Sequence, residues 1–354
     1  MSRKIVTGNT PLECVIYAAD NRPHLQQIYT GFKLLQKAGV VKCKYVYDGR
    51  KGPLRVQLDG RSTLRFDVSD SYGIDTESLS SADFYFKRDL DPSLADAIAG
   101  GEKLYPLGLN YLVYPDTWDT GATARAFRYD KGTNKLWAIL RSTAAERFIG
   151  LPDIFPRVSN TESHPLLRQE PRILFMTRTY DPDLASNPDE ASEWENLNEM
   201  RVACIRKLKS EFGKRFYGGL ACHENAKRRY SDCLLPDRKL SRKWNYMKML
   251  PCYPICVTTA GLFGSAGWKL SEYVAFSKAI VSEKIFCRLP GNFCEGDNYL
   301  SFDSPEQCVE RVAELIGNVE LRHALMLNNY RYYHSFVRPD SLIMNALMIS
   351  LRKT

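Results

Sequence analysis

The sequence predicts an α/β protein of two Rossmann-like domains with parallel sheets facing a cleft. Three observations predict it. The 354 residues are enough for about two domains of ordinary size. Short continuous apolar runs, the pattern of buried parallel strands, alternate with amphipathic helical segments in both halves. Residues 151–171 hold four prolines among polar residues and divide the halves as a linker.

The elements follow in order. Residues 14–19 form the first apolar run, and 20–24 a polar turn. A helix then places Leu25, Ile28, Phe32 and Leu35 on one face and ends near Gly39. Strands are predicted at 44–47, 54–58, 64–68 and 84–86. Residues 104–114 contain Pro106 and Gly108 and read as a strand edge running into a loop. After the linker comes a strand at 172–176. Ser192 and Glu195 have the spacing of a capping box, heading a helix that faces inward with Leu197, Met200, Cys204, Leu208 and Phe212. Further strands are predicted at 215–217, 255–257 and 279–281. Ser304, Pro305 and Gln307 start a helix with Cys308, Val312, Leu315 and Ile316 inside. A last helix, about 340–351, follows Arg338-Pro339, a pair that breaks or kinks it away from what precedes.

Composition removes other classes. Apolar residues at 44% and charged residues at 25% exclude disordered, collagen-like and coiled-coil chains. The run at 14–19 has six residues, against about 20 for a membrane span. It follows no secretory leader pattern either. Ten cysteines without a Cys-x-x-Cys pair, and five scattered histidines, predict reduced thiols and a cytoplasmic setting. Cys222, His223 and Cys233 lack the paired spacing of a zinc site. A net charge of +8 favours an anionic partner such as a nucleotide, a phospholipid surface or nucleic acid. Residues 227–248 carry eight basic residues and two acids, with Trp244 and Tyr246 between them. A solvated helix face is the default for such a stretch, and a contribution to an anionic donor or a membrane-bound acceptor is the alternative.

The most informative segment is 256–283. It reads as strand, glycine loop, short helix, strand. Gly261, Gly264 and Gly267 allow close backbone approach. The loop feeds a helix start, where free N–H groups and the helix dipole attract phosphate. Lys269 adds a point charge, and Glu272 lies one turn into the helix.

This segment resembles the donor-binding motif of GT-B-fold glycosyltransferases. There a glycine loop precedes a helix reading roughly Lys-x-x-Glu-Tyr-x-Ala-x-Gly-Lys-x-Ile-Val. Here Lys269, Glu272, Tyr273, Ala275, Ser277, Lys278, Ala279, Ile280 and Val281 stand in that order. The resemblance covers about 172–345. It implies that Glu272 holds the ribose of a nucleotide-diphosphate sugar, and that Gly264, Ser265, Ala266, Gly267 and Lys269 meet the diphosphate. It also implies that Arg178, after the strand at 172–176, meets the same group. Many retaining members carry a second glutamate eight positions earlier, where this chain has Gly264, so the stereochemical outcome stays open. The implied units are an acceptor-binding domain at 1–160, a donor-binding domain at 161–335, and a terminal helix at 336–354 crossing back to the first domain.

Transfer to a hydroxyl with inversion needs a base on the first domain. Asp20 and Asp70 rank first by their position after strands, then His24; the segment 87–89 is a third place. The Asp-x-Asp pairs at 89–91 and 181–183 are no more than composition produces, so no metal or other cofactor is expected. The expected function is transfer of a sugar from a nucleotide-diphosphate sugar to a glycan, a lipid-linked sugar or a protein, as in polysaccharide biosynthesis, with peripheral contact at the inner face of a membrane. Two alternatives stay open: a nucleotide-sugar epimerase on the same fold, and a non-catalytic basic module for nucleic acid or anionic lipid. Nucleic acid is the less expected partner, because no recognition module stands in the basic stretch.

Overall fold

The computed structural model describes residues 10–47, 49, 52–148 and 154–352. Of the predicted linker, 151–153 lie outside the described residues. The first sheet contains β1 (Leu12–Tyr17), β2 (Val41–Val46), β3 (Leu54–Leu58), β4 (Ser62–Asp67), β5 (Phe84–Lys87) and β6 (Leu104–Pro106). Their spatial order is β2-β1-β3-β4-β5-β6. The sheet is parallel apart from β3, which runs antiparallel to both β1 and β4. The cause is local. Leu58 pairs with Ser62 across a tight turn, in which Asp59 and Gly60 both take positive φ, the conformation that closes hairpins. Leu54, Val56 and Leu58 are buried while Arg55 and Gln57 are less so.

The helix Gln26–Lys37 covers this sheet and buries Ile28, Phe32 and Leu35. Against it lies the last helix, Pro339–Arg352, which starts at its proline, a tolerated first position. Gly31 makes that packing possible: a Cβ there would stand 2.2 Å from the Pro339 carbonyl oxygen. Leu342, Ile343, Ala346 and Leu347 complete the first core.

The second sheet contains β7 (Ile173–Thr177), β8 (Phe216–Leu220), β9 (Ile255–Thr258), β10 (Ala279–Glu283) and β11 (Tyr299–Phe302). Its order is β11-β10-β9-β7-β8, and every pair is parallel. All four residues of β9 are buried. The helix Pro188–Phe212 starts earlier than the predicted capping box. The Asn187 side chain accepts from the Glu190 amide, and Pro188 takes the first position, so Ser192 and Glu195 lie inside the helix. Its inner face holds Val202, Cys204, Ile205 and Leu208. Ser304 caps the helix Pro305–Gly317 through the Gln307 amide.

The two units meet along a polar seam inside an apolar one. Tyr111 and Tyr333 hydroxyls stand 3.0 Å apart. Tyr333 donates to Glu162 at 2.9 Å, and Gln27 donates to the Val337 carbonyl at 2.8 Å. None of the described helices is long and apolar enough to cross a membrane.

Candidate functional site

In the second sheet β8 lies on one side of β7 and β9 on the other, so chain order reverses there. Ligands of open α/β sheets bind beyond the carboxyl ends of such strands. A cavity of about 530 Å³ stands at this place. Thr177 and Arg178 reach it from the end of β7, and Thr258, Thr259 and Ala260 from the end of β9. His24, Asp70 and Arg88, which follow β1, β4 and β5, line it from the first domain.

The second-domain wall is held by buried hydrogen bonds. Arg201, from the helix Pro188–Phe212, donates Nη1 to the Arg178 carbonyl at 2.8 Å, Nε to Thr259 Oγ1 at 2.9 Å and Nη2 to the Ala260 carbonyl at 2.8 Å. One guanidinium thus joins the ends of β7 and β9, with the planar fork geometry that arginine supplies. Glu283 accepts from the Ala260 amide at 2.7 Å. Asn198 bonds both the N–H and the carbonyl of Tyr180.

Within that frame the cations differ. Arg178 is exposed at the rim, beside the Tyr180 ring; among the described residues no carboxylate pairs with it. Lys269 stands 3.2 Å from the centre of the Tyr246 ring. Burial pulls its ammonium down to about 8, against the opposing pull of Glu272. Lys243 lines the cavity and pairs with Glu272. Glu272 itself is buried and lies outside the cavity lining. Its second oxygen stands 3.9 Å from Lys269. Burial pushes its carboxyl upward, but Lys243 and Lys269 outweigh burial and hold it below the ordinary range. The two lysines and one carboxylate leave a net positive patch at the cavity.

The glycine loop divides between two tasks. Ser265 and Gly267 line the cavity, together with Trp268 and Lys269 at the head of the helix Trp268–Ala275. The first amides of a helix have no partner within it, so this head offers donors to an anion. Gly264 and Ala266 face the other domain. Tyr72 donates to the Gly264 carbonyl at 3.2 Å. Asp89 accepts from the Ala266 amide at 3.0 Å, and Arg88 donates to the Ala266 carbonyl at 2.7 Å. The Ala266 amide, expected to meet a phosphate, therefore already has an acceptor.

Of the three base candidates, two come together. The His24 ring nitrogen stands 3.9 Å from Asp70, and the ring lies 4.7 Å from that of Trp268. Burial lowers the His24 pKa, with Asp70 opposing. Asp70 is paired with Arg88, so its carboxylate is engaged. Asp20 is outside the lining and is held by Arg22, 2.9 Å from its side chain and 3.0 Å from its amide. Asp181 and Asp183 pair with Arg228. Among the described residues, Cys222, His223 and Cys233 form no metal-holding cluster.

Arg201 and Lys243 are the residues that sequence reasoning missed. Lys243 was one charge in a basic stretch, and no local signal separates it from its neighbours. Arg201 lies next to the predicted inner face of its helix; a charged residue there, between Met200 and Val202, is the faint signal.

No protein-family model matches the chain, and no curated protein matches it in sequence. Solved structures of similar arrangement include Anabaena Alr3699/HepE in complex with UDP and glucose, at 8% identity and a TM-score of 0.38, covering 94% of this chain and 98% of that one. A putative UDP-N-acetylglucosamine 2-epimerase from Listeria monocytogenes is similar at 11% identity and a TM-score of 0.37, covering 95% of each chain. The C-terminal domain of a glycosyl transferase group 1 family protein (LpcC) from Francisella tularensis is similar at 12% identity and a TM-score of 0.32, covering 48% of this chain and 88% of that one. At these scores the likenesses add no argument about the chemistry. The topology stands on its own: two Rossmann-like sheets direct their carboxyl ends into one cleft, and the last helix returns to the first domain, which is the GT-B architecture.

Proposed function

We propose that the protein is a glycosyltransferase that moves a sugar from a nucleotide-diphosphate sugar to a hydroxyl acceptor. One observation carries the reading: a cavity at the strand-order reversal of one domain, bearing Arg178, Lys243 and Lys269, faces His24 from the other. The cations and the amides heading the helix Trp268–Ala275 suit a diphosphate. His24 suits an acceptor hydroxyl, because burial lowers its pKa and so favours the neutral imidazole, the form that takes a proton. In the reaction His24 takes the hydroxyl proton as the acceptor oxygen bonds to the anomeric carbon. The bond from that carbon to the diphosphate oxygen breaks, and the pair of electrons leaves with the nucleoside diphosphate. Arg178 and Lys269 stabilise that leaving charge without a metal ion. Such a single displacement inverts the anomeric centre. Glu272, paired with Lys243 and Lys269, sets the charge of the patch rather than meeting the ribose unaided.

The test is a panel of nucleotide-diphosphate sugars with hydroxyl acceptors, read for nucleoside diphosphate and for glycosylated product. Acceptor-dependent release supports the reading. Conversion of the donor sugar without acceptor would assign the site to an epimerase, and a folded protein that binds no nucleotide would leave the binding-module alternative.

A further inference from the structure

We propose that the paired helices Thr120–Tyr129 and Gly132–Thr143 form a docking face for an anionic phospholipid surface. Trp118, Phe127, Leu136 and Trp137 are 57%, 58%, 68% and 49% exposed. Four of the eleven large apolar side chains exposed among the described residues thus fall within one short segment. Single exposed apolar residues are ordinary, whereas a cluster marks an interaction surface. Trp118 donates its ring N–H to Thr123 Oγ1 at 3.0 Å, which lays the indole along the first turn. Phe127 follows one turn after Thr123 on the same face. Lys135, from the second helix, stands 4.7 Å from the centre of the Phe127 ring, and the exposed Leu136 and Trp137 follow it in the same turn.

Charge identifies the occupant. Residues 120–143 hold five basic side chains and one acid, Asp130. Asp130 is engaged by Asn21 at 2.6 Å, and Arg125 is buried. Arg128, Lys131, Lys135 and Arg141 remain, with no ion pair to a described residue; Arg141 lies over the Tyr114 ring, 5.7 Å from its centre. In the second domain Arg206, Arg228 and Arg229 are by contrast paired, with Asp232, with Asp181 and Asp183, and with Glu195. Trp, Phe and Leu beside unneutralised Lys and Arg suit the headgroup region of an acidic bilayer. A second copy in a two-fold contact would set these cations against themselves. The pair also sits at the cleft side of the first domain, since Tyr129 donates to the Ala18 carbonyl at 2.6 Å, just beyond β1. Docking would hold the cleft mouth near the bilayer, where an acceptor carried on a lipid would meet it. That last step rests on the transferase reading; the docking does not.

The test is co-sedimentation of the full chain with vesicles of phosphatidylcholine alone or mixed with phosphatidylglycerol, at low and physiological salt, with tryptophan emission read in parallel. Binding to the anionic vesicles with a blue shift, weakened by salt, is expected. The variant R128Q/K131Q/K135Q should bind about a hundredfold more weakly, at about fivefold per cation. The variant F127S/L136S/W137S should lose the blue shift and most of the binding, with an unchanged circular dichroism spectrum. R178A should sediment as the parent does even if it no longer binds nucleotide, which separates this proposal from the donor-site reading. The proposal is overturned by absence of sedimentation at low salt or by hairpin variants that bind as the parent. Displacement of the vesicles by a single-stranded oligonucleotide at matched charge, or a dimer abolished by the same variants, would overturn it as well.

Discussion

The two domains face one cleft but are built differently on its two sides. The second-domain wall is fixed from within: Arg201, Asn198 and Glu283 hold the ends of β7 and β9 through buried hydrogen bonds. Among the described residues the first-domain wall brings three side chains, His24, Asp70 and Arg88, and its Arg88 is tied across the cleft to the Ala266 carbonyl while Asp89 holds the Ala266 amide. The difference separates two tasks. One domain presents a preformed cationic site, which lowers the ordering cost of binding. The other supplies a titratable group whose placement depends on the contact between domains, as cleft closure requires.

The largest test of this division is His24. H24Q should lower the transfer rate by about 10²–10⁴-fold and leave the nucleoside diphosphate affinity unchanged; steady-state kinetics beside calorimetry reads both. An equal loss in affinity would erase the separation of tasks. Arg201 comes next. R201M leaves the Arg178 and Ala260 carbonyls and Thr259 without their donor, and should cost about 3 kcal/mol in urea unfolding. D89N, which weakens the hold on the Ala266 amide, should lower the turnover rate by about tenfold through misplacement of the first-domain wall with little change in diphosphate affinity.

The smallest effect is one of pH. Lys269 is held to about 8 by burial, so it loses its proton as pH rises through that value. Diphosphate affinity should fall by up to about tenfold between pH 7 and pH 9, and K269M should flatten the profile. The linked stability runs the other way. The folded pKa lies below the ordinary lysine value of 10.5, so the unfolded chain binds more protons between them. Stability from this group therefore rises with pH from about 8 to 10.5.

Much of the architecture was legible because buried strands and helix faces leave periodic marks. Ile28, Phe32 and Leu35 are buried as their spacing implies, as are Cys308, Val312 and Leu315. The antiparallel β3 was not read, although Asp59-Gly60 after an alternating run is a hairpin signal. The paired helices at 120–143 were not read either, since exposed Phe127, Leu136 and Trp137 blur their inner and outer faces. At the site, Lys269 was legible from its place at a helix head, whereas Arg178 was singled out only through the resemblance to GT-B glycosyltransferases. The pairing of Lys243 with Glu272, 29 residues apart, follows from no local pattern, because only the folded chain brings them together. The same holds for His24 and Asp70, which stand on separate strands' ends.

On the proposed reading, the second domain holds a preformed site for a nucleoside diphosphate. Isothermal titration of nucleoside mono- and diphosphates at pH 7, without metal, into the parent chain and into R178A and K269M tests it most directly. One nucleoside diphosphate should bind more tightly than its monophosphate, and each variant should lose at least about tenfold, or ~1.4 kcal/mol. Absence of binding to a folded parent, or variants that bind as tightly as the parent, would contradict it.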